Sequence, residues 1–300
     1  MKQPFTTSPL QVIETGNRSI SIFSTDGQNI DTEVVETFGD EWLKFKEHSD
    51  EEIKNIGMMY FDILDETIIN KNTYALDIGC GTGRWTKYLA DRIGFVEAID
   101  PSNAVLAADH LLKGVENVRI SQASVETIPF NDETFDFAMS IGVLHHIPDT
   151  QKAMQDCVKK VKKGGYFFTY LYYNHDRKGT AYKMLFEMSN VVRKIVSSLP
   201  AGLKRVTCDV LAVIFYMPFV FLGRMLSAIG FKKLASRLPL ADYQNMNFFT
   251  IRNDSLDRFG TKLEHRFSKK EVIELMENSG LEQIVVSPNS PYYHAVGKKK

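Results

Sequence analysis

The stretch "YALDIGCGTGRWTKYLA", Tyr74 to Ala90, sets three glycines, Gly79, Gly81 and Gly83, between an apolar run and a helical pattern. Without Cβ atoms these residues turn tightly and let a ligand approach the main chain. The start of the helix behind them offers unpaired N–H groups to a carboxylate or phosphate. Asp77 precedes the loop by two residues, Asp100 ends the next apolar run, and the pair His145 and His146 follows a later one. An acid beside the loop suits a cationic group. An acid ending the second strand suits ribose hydroxyls. Neutral imidazole takes a proton near pH 7.

Two ligand classes compete for such a loop, a dinucleotide and S-adenosylmethionine. The dinucleotide fingerprint is G-x-G-x-x-G. Here the third glycine comes one position early and Arg84 stands where that glycine permits close helix–strand packing. Asp77 would also meet a pyrophosphate unfavourably, whereas it could face an ammonium or sulfonium. Asp100 fits a ribose under either reading and does not discriminate.

The elements that position these residues alternate regularly. "YALDIG", "FVEAID", "NVRISQAS", "TFDFAMSIG" and "YFFTYLYY" read as strands. "RWTKYLADRI", "SNAVLAADHLLKG" and "DTQKAMQDCVKKVKKGG" read as helices between them, the last ending in its glycine pair. Such alternation predicts a parallel sheet wrapped by helices. "SKKEVIELMENSG" predicts a further helix, and "LEQIVVS" with "YYHAVGKK" an antiparallel pair at the sheet edge. Residues 1 to about 30 read as a loosely packed arm with short β-like pieces such as "SISIF". Helical spacing follows to about residue 69, with a break expected at Gly39.

Several of these segments, in order, resemble the class I S-adenosylmethionine-dependent methyltransferases, and among them the ubiquinone/menaquinone-type small-molecule methyltransferases. "LDIGCGTG" resembles the first motif of that family and "AIDPS" the second. "ASVETIPFNDETFDFAMSIGVLHHIPD" and "VKKGGYF" resemble later ones. Ser124 stands where the family usually has an adenine-binding Asp, and Lys163 replaces a usual proline. The resemblance implies an α/β fold, a Rossmann-like seven-stranded sheet of order 3-2-1-4-5-7-6 with strand 7 antiparallel, N-terminal helices and a helical insertion after strand 5. It implies S-adenosyl-L-methionine held by Asp77, Gly79, Cys80, Gly81 and Gly83, with Asp100 and Pro101 at the ribose. Ser124 and Val125 would edge the adenine, and Ser140 and Ile141 would lie near the methionine or the transferable methyl. The methyl is activated by its sulfonium, so proximity and in-line orientation carry most of the catalysis. His145 and His146 are the candidate bases, against a packing role at the strand–helix junction. Trp42, Tyr170, Tyr172 and His175 are the candidate substrate contacts, against plain aromatic filling. No metal site is expected.

Three regions follow: an N-terminal arm and helical segment, 1–72; a methyltransferase core, 73–175 with 267–300; and a mainly helical insertion, 176–266. The insertion contains "VLAVIFYMPFVFLG", which reads as too short to span a bilayer. It reads as a cap over the acceptor, with a membrane-surface patch or a protein contact as alternatives. As a surface patch it would lay Leu211, Phe215, Phe219 and Phe221 into lipid with Lys204, Arg205, Lys232 and Lys233 at head groups. Thirty-six Lys and Arg against 37 Asp and Glu give a net charge of −1, with no global pull toward nucleic acid. No Asn-Pro-Pro-aromatic motif for a flipped base is present. Three scattered cysteines suggest neither a disulfide framework nor zinc and fit a reducing compartment. The N-terminus lacks an apolar core of signal-peptide length, and the expected address is the cytoplasm. The expected partner is a small-molecule acceptor, anionic or lipid-like, with peripheral rather than integral membrane contact. A non-catalytic cofactor-binding scaffold is the rival outside enzymology.

Overall fold

The computed structural model describes residues 2–44, 49–174, 180–246 and 248–300. His175 therefore lies outside the described residues. In chain order the elements are β1 (Gln11–Glu14), β2 (Ser19–Ile22), α1 (Thr32–Lys44), α2 (Asp50–Tyr60), β3 (Tyr74–Ile78), α3 (Arg84–Ala90), β4 (Phe95–Asp100), α4 (Ala104–Leu111), β5 (Val118–Gln122), β6 (Phe135–Ile141), α5 (Thr150–Lys160) and β7 (Val161–Tyr170). Then come α6 (Thr180–Ser197), α7 (Ala201–Leu211), α8 (Met217–Ala228), α9 (Lys232–Ala235), α10 (Phe248–Gly260), α11 (Lys269–Asn278), β8 (Leu281–Val286) and β9 (His294–Lys299). Two compact units result: Met1–Asp176 with Leu263–Lys300, and Arg177–Lys262. Residues 263–266, expected in the insertion, lie in the first unit.

The first unit is built on one sheet, ordered β1-β2-β5-β4-β3-β6-β7-β9-β8. It has nine strands, not the seven expected. The seven core strands run 3-2-1-4-5-7-6, with β9 antiparallel to both neighbours. The additional two come from the N-terminal segment read as a loose arm. β2 pairs in parallel with β5, and β1 closes the edge antiparallel to β2. Arg18 explains why this segment is held. Its guanidinium donates to the carbonyls of Leu112 and Val118 at 2.6 and 3.2 Å and ion-pairs with buried Asp109 at 2.9 Å. A single arginine thereby satisfies the last turn of α4 and the start of β5, a role that local sequence pattern does not reveal.

β3 reads "YALDI" and is buried throughout, as a central parallel strand covered on both faces must be. Leu76 and Ile78 point into one apolar layer with Phe135, Phe167, Met154 and Val272. Ala75 points to the other layer, with Phe137, Phe168, Trp85 and Leu89. α5 and α11 cover the first face; α2, α3 and α4 cover the second. Local signals start several helices. Ser49 and Glu52 cap α2 reciprocally, Ser268 and Glu271 do so at α11, and Asp149 accepts from the Lys152 amide at α5.

Two expected boundaries move. α1 runs through Gly39 without the break. A Cβ at Gly39 would stand 2.9 Å from Ser102 Cβ, so the glycine serves close packing rather than termination. α5 stops at Lys160 and β7 takes over at Val161, so "KKGG" begins the strand.

The second unit is helical. α10 packs against both α6 and α7, and Val196, Cys208, Ala212, Tyr216, Val220 and Ile251 form its core. The apolar piece expected to be too short for a bilayer belongs to a longer element. α7, a π-helical turn at Ala212–Tyr216 and α8 run on as one helix, Gly202–Ala228, of 27 residues. By length and composition this helix is long and apolar enough to cross a membrane.

The Arg18–Asp109 pair gives a direct test. Arg18→Ala leaves Asp109 buried without its cation and should cost roughly 3 kcal/mol in urea unfolding. The Arg18→Ala/Asp109→Ala double variant should cost less than the sum of the two singles. Strict additivity would show that the pair does not anchor the edge.

Candidate active site

β3, β4 and β6 end side by side, and their carboxyl ends carry most of the candidate residues. This is the crevice where open α/β sheets bind ligands. After Ile78 the chain enters the left-handed region at Gly79 (φ +76°), Gly81 (+53°) and Gly83 (+79°), and α3 begins at Arg84. The amides of Gly79 and Cys80 both donate to the Ile99 carbonyl, at 2.8 and 2.9 Å, which ties the loop to the end of β4.

Asp100 completes that tie. Its Oδ2 accepts from the Gly81 amide at 3.0 Å, and its Oδ1 accepts from the Ser102 amide and hydroxyl at 2.9 and 2.6 Å. A carboxylate oxygen has two acceptor positions. These bonds leave Oδ2 one position for a further donor such as a ribose hydroxyl. Burial raises the Asp100 pKa above its ordinary value, opposed by the three bonds it accepts.

Asp77 is buried on the face of β3 toward α3, and Thr86 Oγ1 donates to its Oδ2 at 2.5 Å. Its pKa is raised to about 7, first by burial and then by the charge of Asp100. Near neutrality the group is poised between its two forms, a state that a cationic ligand would shift toward the carboxylate. Burial likewise pushes the Cys80 thiol well above its ordinary value, with Asp100 and Asp77 adding to it. Cys80 is therefore a packed thiol beside the loop and no nucleophile.

Ser140 is buried at the end of β6, its hydroxyl donating to the Ile78 carbonyl at 3.1 Å, and Ile141 pairs with Tyr170 across β6 and β7. Pro101 follows Asp100, its carbonyl accepting from Gln122 Nε2 at 2.9 Å. Ser124 is buried at the head of a short turn over Val125–Thr127, sharing a 3.0 Å hydroxyl–hydroxyl bond with Thr127.

The histidines lie just past β6. His145 is fully buried and stacks on Tyr172 at a centroid distance of 3.8 Å; neither ring nitrogen has a hydrogen-bond partner among the described residues. Burial holds its pKa well below the usual imidazole value, with the neighbouring His146 adding to the effect. His146 Nδ1 lies 2.8 Å from the Leu263 carbonyl, which can only accept, so the neutral tautomer carries its proton on Nδ1. Burial lowers the His146 pKa to about 4.

Val143 and Arg266 escaped the sequence reading, as did the placement of Arg84 over two tryptophans. A Cβ at Gly79 would stand 2.4 Å from Val143 Cγ2, so Val143 packs directly on the loop. Half-buried Trp42 lies by Gly81, and the Arg84 guanidinium sits over both Trp42 and Trp85, at 5.6 and 4.4 Å. Arg266, paired with Glu264 at 2.7 Å, lies over the Tyr172 ring at 5.1 Å. "LEHRF" carries charge beside aromatics, but it reaches this place through long-range bonds, the His265 amide donating to the His145 carbonyl at 2.9 Å and the Phe267 amide to the Tyr172 carbonyl at 2.8 Å. Tyr170 is buried edge-on to Tyr60, 5.0 Å away.

Residues 76–169 match the family described as methyltransferase domain. Residues 76–169 thus carry a methyltransferase domain. The domain is 27% identical over 150 residues to a ubiquinone biosynthesis O-methyltransferase of Coxiella burnetii, covering 47% of this chain and 62% of that protein. It is 35% identical over 96 residues to the uncharacterized methyltransferase YcgJ of Bacillus subtilis, covering 31% and 38%. To a demethylmenaquinone methyltransferase of Bacillus licheniformis it is 30% identical over 128 residues, covering 41% and 51%. The chain thus spans about 38–62% of the lengths of these relatives.

The histidine environment of the methyltransferase domain predicts a pH effect. His146 falls from 6.5 to about 4 on folding, so the native state binds fewer protons than the unfolded chain between those values. Its contribution to stability is complete above pH 6.5 and is lost as pH falls toward 4. Compared with His146→Gln, the natural chain should lose on the order of 2–3 kcal/mol more over that interval. Parallel stability–pH curves for the two proteins would show that His146 is not held neutral.

Proposed function

We propose that the chain transfers a methyl group from S-adenosyl-L-methionine to a small-molecule acceptor. One observation carries this reading: the Asp100 carboxylate, with a free acceptor position, is fixed on the amide of a loop whose three glycines all have positive φ. The cofactor would supply a methyl made electrophilic by its sulfonium. Gly79–Gly83 would face its methionine part, Asp77 its ammonium, Asp100 and Pro101 its ribose, and Ser124 and Val125 its adenine. Ser140 and Ile141 would border the transferable methyl. Trp42, Tyr170 and Tyr172 would form apolar walls toward the acceptor.

The protein's part in this reading is to orient a nucleophile in line with the methyl and keep water out. Both histidines are buried and held neutral, which makes them poor bases at neutral pH. In this proposal they shape the site rather than remove a proton. A lipid-like acceptor is the second reading, favoured by the exposed apolar residues of the helix Gly202–Ala228.

Calorimetry checks the cofactor. S-adenosylmethionine should bind and NAD should not. Asp100→Ala should weaken binding at least tenfold, about 1.4 kcal/mol, through the lost ribose acceptor and loosened loop. Binding unchanged in Asp100→Ala would sink the ribose assignment. Isotope-labelled cofactor with extracted metabolites, read by mass spectrometry, should give a labelled product; labelled cofactor bound but never consumed would indicate a scaffold. Once an acceptor is known, His145→Gln should lower kcat less than tenfold. A loss of about 10²-fold or more would make His145 a general base instead.

A further inference from the structure

The second unit has two unlike faces. Toward α10 the long helix buries Cys208, Ala212, Tyr216 and Val220. On the outside, Leu203, Val206, Val210, Phe215, Phe219 and Leu222 are exposed, and the series continues to Ile229. Their steps are of three or four residues, except for the five from Val210 to Phe215. That step crosses the π-helical turn Ala212–Tyr216, whose wider turn absorbs the extra residue and keeps the apolar series on one side. Ile214 and Phe221, one heptad apart, are 57% and 67% exposed, and only 28% of the most apolar window of this helix is buried. α6 repeats the arrangement with exposed Met184, Met188, Val191 and Ile195, again at helical spacing. Isolated exposed apolar residues need no explanation, but a series along two neighbouring helices marks an interaction surface.

Charge narrows the occupant. Between Met184 and Leu238 the only acids are Glu187 and Asp209, and Asp209 is paired with Arg252 at 2.7 Å. Exposed Lys194, Arg224, Lys232, Lys233 and Arg237 adjoin the apolar series, Lys232 and Lys233 falling between exposed Phe231 and Leu234. Apolar residues interleaved with cations and nearly free of acids match a surface of acyl chains under anionic head groups. The inner side of the same helix argues against spanning. Arg252 holds Asp209, and Asp254 accepts from the Tyr216 hydroxyl at 2.8 Å, so crossing would carry these groups into hydrocarbon.

We propose that the outer face of Gly202–Ala228, with the adjoining Ile229–Leu234 segment, lies flat on an anionic lipid bilayer and anchors the chain there peripherally. The proposal concerns the second unit alone and stands whether or not the chain transfers methyl groups.

Vesicle flotation of the full chain tests it, with phosphatidylglycerol–phosphatidylcholine vesicles, phosphatidylcholine vesicles and no vesicles as the three arms. The chain should float with the anionic vesicles, and at least tenfold less with the neutral ones. Ile214→Glu/Phe221→Glu should lose flotation at least tenfold. Lys232→Glu/Lys233→Glu should lose it severalfold, and raised salt should weaken the natural chain similarly. Both altered residue pairs are exposed, so thermal melting and calorimetric S-adenosylmethionine binding should stay unchanged, which separates lost docking from lost folding or a failed cofactor reading. Absence of flotation on anionic vesicles overturns the proposal, as does undiminished flotation of Ile214→Glu/Phe221→Glu. Equal flotation on neutral vesicles overturns the anionic assignment. A dimer in light scattering that Ile214→Glu/Phe221→Glu converts to a monomer, without flotation of either, assigns the face to a second copy of the chain.

Discussion

A buried carboxylate held on a main-chain amide governs the first unit: Asp100 on Gly81. The bond fixes a loop that leaves β3 through three residues in left-handed conformation, which L-residues with side chains adopt at a cost of about 1–2 kcal/mol each. The loop has few side chains of its own to hold it. Its order comes from β4, through Asp100 and the Ile99 carbonyl, and from Val143 packed on Gly79. Register between β3 and β4 therefore decides the shape of the site. Asp77 pairs with Ala98 and Ile78 with Ile99, which leaves Asp100 opposite the turn. A shift of one residue would turn Asp77 and Asp100 to the opposite faces of the sheet.

The same constraint explains the unusual acid–base character of the site. Asp77, Asp100 and Cys80 are buried close together, and for each of them burial is the largest cause of a raised pKa. His145 and His146 are pushed the opposite way by the same physics, because burial disfavours whichever form is charged. Burial thus works against charge at each of these groups, around an acceptor position left open on Asp100. That arrangement suits binding and orienting a charged ligand better than it suits proton removal.

The second unit follows a different logic. Its core is one side of a helix bundle closed by α10, with Asp209–Arg252 and Tyr216–Asp254 at the seam. The inner side is apolar as usual, and the departure from the common helix pattern is the outer side, where apolar residues stand in place of polar ones facing water. The π turn lets both series share one helix without drifting across each other.

The core strands and the Gly79–Gly83 loop were legible in the chain, while the order of the seven core strands came from the family resemblance. Buried parallel strands are continuous apolar runs, and glycines at fixed spacing have a local conformational cause. Asp100 and Asp77 were legible for the same reason, since each sits at a fixed offset from a strand end. The pairing of the β-like N-terminal pieces into the sheet was not, because it rests on Arg18 reaching Asp109, Leu112 and Val118 about a hundred residues away. Val143 on Gly79, Arg84 over Trp42, and Arg266 over Tyr172 were likewise decided only by tertiary structure, since each contact joins separate segments. So was the exposure of Gly202–Ala228. An apolar sequence states that a surface avoids water, and only packing determines which side of it the protein itself covers.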